Sequence, residues 1–231
     1  LVRYPGLVVL HDGRLHDSRG SSLLRQVRVD DYGAEFVYNH PRTSSDVPRL
    51  AHAELLGLTC ELWPMRRVVL ESSRLLLAPH PWIADEIRQE ASHDRIGVLE
   101  PGVRAPRYSD DVDEKGTAAR VRRRYGFSPD DVVFASVCDP SLRYRVPQIL
   151  SAFAQLDDPE QKARLLLCGN DPGAIGGAER VTLTGALDDQ AVADHLAASD
   201  VCLSLQWPDR SDGIRSWLTA MAADKPTVVA D

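Results

Sequence analysis

Short apolar runs in the second half of the chain (Asp131–Val137, Ala163–Cys168, Val181–Thr184, Asp200–Leu205 and Thr227–Ala230) alternate with stretches of helical spacing. Runs without polar alternation fit strands covered on both faces. Between them, Val146, Ile149, Leu150, Phe153 and Leu156 mark one helix, with Pro147 in its first turn. Val192 and Leu196 mark a second behind the capping residue Asp188. Ile214, Trp217, Leu218, Met221 and Ala222 mark a third behind Ser211 and Asp212. Strands joined by right-handed helical crossovers form a parallel, Rossmann-like sheet. Ligands bind such sheets beyond the carboxyl ends of the strands. The loop from Gln206 to Gly213 and the strand-closing residues Gly169, Asn170 and Gly185 are therefore the first places to look for chemistry.

The first half has the same alphabet with less regularity. Leu7 to Leu10 is expected as a buried strand, ending in His11 and Asp12. A polar pair at a strand's carboxyl end is an active-site position, although spacing alone favours a turn residue and a cap. Asp30 to Val47 is polar and irregular, which reads as a ligand-touching surface loop or a connector. Helices are expected over Pro48–Cys60, Pro64–Ser72 and Pro81–Glu90, the last with Trp82, Ile83 and Ile87 on one face. Strands are expected over Arg74–Ala78 and Ile96–Leu99. Glu100 to Gly116, rich in proline, glycine and acidic residues, reads as an exposed linker. It sets the expected domains at 1–104 and 105–231. The helix Ala118–Tyr125, closed by Gly126, carries Arg120, Arg122, Arg123 and Arg124, which read as a solvated face.

Composition sets the outer limits. With 231 residues, 43% hydrophobic and 26% charged, the chain can build ordinary globular cores. A net charge of −7 argues against general nucleic-acid binding. No apolar run approaches the roughly 20 residues of a membrane span, which leaves peripheral membrane contact open. Cys138, Cys168 and Cys202 fall on expected buried strands and none has zinc-site spacing, as in a cytoplasmic protein with reduced core thiols. Leu1 is not an initiator methionine, and the outermost strands crowd both ends, so a piece of a longer protein is expected.

From Arg122 onward the chain resembles the donor domain of retaining glycosyltransferases of the family-4 or group-1 type. The resemblance rests on RRRYGFSPDDVVFASV, ILSAFAQL, ARLLLCGNDPG, RVTLTGALDDQAVADHLAASDVCLSL and LTAMAADKPTVVAD. The first half is similar to the latter part of that family's acceptor domain through YPGLVVLHD, VVLESSRLLLAPHPWIADEI and IGVLEPGV. The resemblance implies two α/β, Rossmann-like domains with mostly parallel sheets facing a cleft, a GT-B fold. It further implies transfer of a sugar, with retention of configuration, from a nucleotide-diphosphate sugar to a glycan, lipid or small-molecule acceptor. No metal or other cofactor is implied. His11, with Asp12 beside it, matches the family's histidine near the anomeric centre. Gly169, Asn170, Gly185, Asp212, Gly213 and Ser216 fall on the donor side.

The departures fall on the chemistry. Counted from Phe134, the family's phosphate-binding arginine and lysine positions hold Asp139 and Tyr144. Counted back from Pro226, its two glutamate positions hold Ser211 and Thr219. Asp212 can take over from the first glutamate, and Arg143 and Arg145 from the cations. A hydrogen bond to a charged group contributes about 1.5–3 kcal/mol, so losing two without replacement weakens donor binding by roughly two to four decades. Beside an active transferase stand a degenerate binding or scaffolding module and another use of the fold, such as sugar-phosphate epimerisation.

Overall fold

The computed structural model describes residues 5–53, 61–90, 95–108, 113–138, 144–169, 180–207 and 211–230, with the backbone course alone for 211–215. The chain forms two compact units, divided between Pro101 and Gly102, each with its own parallel sheet.

In the first unit the elements are β1 (Leu7–Val9), α1 (His16–Arg25), α2 (Val29–Asn39), α3 (Val47–His52), α4 (Arg67–Ser72), β2 (Leu75–Ala78), α5 (Pro81–Glu90) and β3 (Ile96–Val98). The sheet order is β1-β2-β3, all parallel. Leu10, Leu70, Leu76, Ile83, Ile87 and Ile96 share its core. Of the run expected to be a buried strand, only Leu10 is buried. Leu7 is 58% exposed, because among the described residues β1 pairs with β2 alone and forms an edge. On α5 the buried residues are Ile83, Ala84 and Ile87. Trp82, expected on that face, lies about 100° round the helix from Ile83 and is 39% exposed.

The larger correction is in the stretch Asp30 to Val47: its first part, to Asn39, is α2, while residues 40–46 are the irregular, turn-containing connector expected. Tyr32, Phe36 and Asn39 are buried along α2, at i, i+4 and i+7. Asn39 masks the stripe in the sequence, yet both ends of its amide are bonded: Nδ2 donates to the Glu35 carbonyl at 2.8 Å, and Oδ1 accepts from the Arg67 amide at 2.7 Å. Phe36 packs against the rings of His16, Tyr32, His40 and Trp63. The helix expected over Pro48–Cys60 is present as α3 to His52, and residues 54–60 lie outside the described ones. The helix expected from Pro64 begins at Arg67, and the Pro64 carbonyl instead accepts from the Leu15 amide at 2.9 Å.

In the second unit, α6 (Glu114–Tyr125) precedes β4 (Val132–Val137), α7 (Val146–Ala154), β5 (Ala163–Cys168), β6 (Val181–Leu183), α8 (Asp189–Ala197), β7 (Val201–Ser204), α9 (Ser211–Ala222) and β8 (Thr227–Val229). The parallel sheet runs β6-β5-β4-β7-β8. Successive residues of β4 and β5 feed opposite cores. Phe134, Leu165 and Leu167 pack with Ile149 and Phe153 of α7. Val133, Ala135, Leu166 and Cys168 pack with Tyr125 and Phe127. Covering on both faces is why these strands show no alternation. Leu165, Leu166 and Leu167 are fully buried, each contributing about 2 kcal/mol. Two helices are stopped and started by short-range chemistry. Asp113 and Asp188 accept from the amides of Gly116 and Ala191, and Gly126 closes α6 at φ 70°.

Other expectations fail for identifiable reasons. Thr227–Ala230 reads as a strand covered on both faces, but among the described residues β8 is an edge, with Val228 and Val229 about half exposed. The arginines of α6 are not merely a solvated face. Arg120 pairs with the buried Asp194 at 2.8 Å. Arg122 donates to Asp200 at 2.6 Å and to the carbonyls of Ala198 and Asp131 at 3.0 Å. Asp200 also accepts from the Val133 amide, so Arg122 ties α6 to the entrances of β4 and β7. Cys138, Cys168 and Cys202 are buried and in no disulfide among the described residues, and burial pushes the Cys168 thiol up. Among the described residues no helix is long and apolar enough to cross a membrane.

Candidate functional site

The order of the five-stranded sheet locates the opening. From β4 the chain builds outward through β5 to β6, then returns to the other side of β4 and builds out through β7 to β8. The direction reverses between β4 and β7, and a crevice opens beyond the carboxyl ends at such a switch point. A cavity of about 600 Å³ lies there. Its wall includes Val137 at the end of β4, Asp189 and Gln190 at the start of α8, Ser216 and Thr219 on α9, and the segment Gly102–Arg107.

Side-chain bonds fix this wall. Gln206, just past β7, donates from Nε2 to Ser216 Oγ at 3.3 Å. Gln190 Nε2 donates to the Arg107 carbonyl, and also to Asp194 Oδ1 at 3.3 Å. Asp194 is in turn held by Arg120, so a chain of polar contacts runs from α6 through α8 to the segment at Arg107. Arg104 and Arg107 are exposed and form no ion pair with a described residue. Asp189 is the one carboxylate among the described lining residues.

Of the donor-side residues expected from sequence, Ser216 lies in this wall beside Thr219. Gly169 and Gly185 are brought together, since the Gly169 amide donates to the Gly185 carbonyl at 3.0 Å. Gly169 has φ +99°, and a Cβ there would stand 2.6 Å from the Cys138 carbonyl oxygen. The close approach this glycine permits is thus made by the chain's own backbone. Arg145 is the residue before α7, left-handed at φ 53°, and is absent from the wall of the cavity. Tyr144 packs against the core formed by β4, β5 and α7. Arg143 and Asn170 lie outside the described residues, and Asp212 and Gly213 fall in the first turn of α9, where the backbone alone is described.

His11 and Asp12 sit at the carboxyl end of β1, in the first unit, with His11 exposed. Asp12 Oδ1 accepts from the Arg14 amide at 2.7 Å, which is a turn contact. The loop is anchored from below. Arg66, 1% exposed, donates to the Gly13 carbonyl at 2.9 Å while pairing with Glu86 and Glu90. A second histidine stands at the same edge of this parallel sheet. His80 follows β2, and its buried Nδ1 has no hydrogen-bond partner among the described residues.

Sequence reading did not single out Arg66, His80, Gln190, Arg104 or Arg107. Arg66 carries no signal, being one of two adjacent arginines before an apolar run. Arg104 and Arg107 do carry one: they interrupt a glycine- and proline-rich stretch with no helical period to make them a solvated face.

No protein-family model matches the chain, and no curated protein does. Solved structures do. WaaG, a glycosyltransferase involved in lipopolysaccharide biosynthesis, is 20% identical over 67% of this chain and 43% of its own, with a TM-score of 0.54. HepE of Anabaena, solved in complex with UDP, is 16% identical over 98% of this chain and 53% of its own, at 0.58. Sucrose-phosphate synthase of Thermosynechococcus elongatus is 18% identical over 98% and 56%, at 0.54. The chain spans about half the length of these structures. It is an α/β protein with parallel sheets, and its fold is that of the GT-B glycosyltransferases.

Proposed function

We propose that this chain is part of a glycosyltransferase that takes a sugar from a nucleotide-diphosphate donor held by the second unit and passes it to an acceptor with retention of configuration. The observation that carries the reading is the cavity of about 600 Å³ at the switch point of the five-stranded sheet, where Ser216 and Thr219 face the segment Gly102–Arg107. It is large enough for a nucleotide-sized ligand and is lined by groups that hydrogen-bond hydroxyl and phosphate oxygens. The UDP complex of a protein sharing the fold supports the ligand class. In the transfer, the bond between the anomeric carbon and the diphosphate breaks, and its electron pair leaves with the phosphate oxygen. An acceptor hydroxyl bonds to that carbon on the same face and passes its proton to the departing phosphate oxygen. His11 orients or stabilises the transferring sugar, with Asp12 shaping its loop. The acceptor is a glycan, a lipid or a small molecule. The reaction uses no metal, and buried free thiols fit a cytoplasmic setting.

One observation favours a second reading, a binding or scaffolding module without catalysis. The family's lysine position holds Tyr144, which is packed into a core. Calorimetric titration of the full-length protein with UDP, ADP and GDP separates the two. Binding of one diphosphate at micromolar Kd, followed by NMR detection of a product retaining the donor's anomeric configuration, is the outcome expected of the enzyme. Binding without turnover under any acceptor supply supports the module, and no binding removes the donor-site reading.

A further inference from the structure

We infer that Arg104 and Arg107, supplied by the segment that opens the second unit, are cations that face the donor's diphosphate. This rests on the reading of the cavity as the donor site.

Arginine usage within the second unit points there. Arg120, Arg122, Arg164 and Arg180 are committed to Asp194, Asp200, Asp131 and Asp158 at 2.6–2.9 Å. Arg124 lies over the ring of Tyr125. Arg104 and Arg107 form no ion pair with a described residue, yet both line the switch-point cavity. Arg123 and Arg145 also lack an ion pair among the described residues but are absent from that wall. A guanidinium presents forked donors to two oxygens at once, the geometry a diphosphate offers.

The segment is also held in place. The Arg107 carbonyl accepts from Gln190, Gln190 bonds Asp194, and Asp194 is paired with Arg120. Pro106 fixes one backbone dihedral next to Arg107, lowering the cost of ordering the strip around a ligand. Asp189 opposes an anion in the same wall, and a pair of cations outweighs a single carboxylate. In a chain of net charge −7, attraction of a diphosphate must come from a local arrangement of this kind.

The test is calorimetric titration of the full-length protein with UDP, ADP, GDP and inorganic pyrophosphate at two salt concentrations. Parental protein is compared with Arg104→Gln, Arg107→Gln, the double variant and Arg104→Lys/Arg107→Lys. Both arginines are exposed and unpaired among the described residues, so the variants fold; circular dichroism checks this. Each Gln substitution is expected to weaken diphosphate binding about tenfold and the pair about a hundredfold, with a shallower salt dependence. The Lys pair retains charge and recovers part of the loss. Parental affinity in the double Gln variant overturns the assignment while leaving donor binding by the second unit standing. Absence of binding by the parental protein to every probe overturns both.

Discussion

Arg66 shows how much one side chain can decide. It is almost fully buried, and it spans from the Gly13 carbonyl to Glu86 and Glu90. Removing it leaves Glu90 without its cation, leaves Glu86 to Arg14 alone and frees the loop that carries His11. Arg66→Ala is expected to destabilise the first unit by about 3 kcal/mol, read as a lower urea midpoint at unchanged slope. Unchanged stability would show the ion pairs to be dispensable. His40 gives a pH dependence. Burial, then the nearby His16 and Arg66, lowers its pKa from 6.5 to about 4, and its Nε2 accepts from the Met65 amide. The unfolded chain takes up the proton first, so this contribution is complete above pH 6.5 and is lost as pH falls from there towards 4. His40→Gln is expected to flatten stability across that window, and an unaltered profile in the variant would assign the dependence elsewhere.

Elements in this chain are set partly by local chemistry and partly by neighbours. Both α6 and α8 begin on an aspartate whose carboxylate caps the first turn. Asp113→Ala and Asp188→Ala are each expected to cost about 1 kcal/mol, measurable by chemical denaturation; a loss of both caps without effect would mean other contacts start these helices. Asp113 is hidden in an acidic stretch that reads as a linker, so α6 starts at Glu114 rather than at the expected Ala118. The cap at Asp188 is legible in sequence because donor and acceptor lie within three residues. The helix α2 is the opposite case. Its buried stripe of Tyr32, Phe36 and Asn39 includes an amide with one local partner, the Glu35 carbonyl a turn back, and one 28 residues on, the Arg67 amide, which no local pattern reveals. Phe36→Ala is expected to destabilise by about 3–4 kcal/mol, more than any surface change on the same helix. The β5–α7 layer was readable because strands buried on both faces announce themselves as uninterrupted apolar runs.

At the scale of the molecule, the donor reading predicts linkage between binding and stability. A nucleoside diphosphate at about a hundred times its Kd stabilises the folded protein by about 2.7 kcal/mol. A thermal-shift titration is expected to show a concentration-dependent rise confined to the unfolding step of the second unit, and a flat response would remove the donor site. The sequence by itself determined the alternation of strands and helices, the cap at Asp188, the helix-closing Gly126, and the Rossmann-like topology of the second unit. Those features depend on contacts within a few residues or on periodicity along one element. Only the tertiary structure decided that Arg120 and Arg122 are structural while Arg104 and Arg107 pair with no described carboxylate, that Gly169 serves its own backbone, and that Ser216 shares a wall with Thr219 and Gln190. Which charge meets which partner depends on distance across the fold, with Arg120 and Asp194 separated by 74 residues in the chain and 2.8 Å in space.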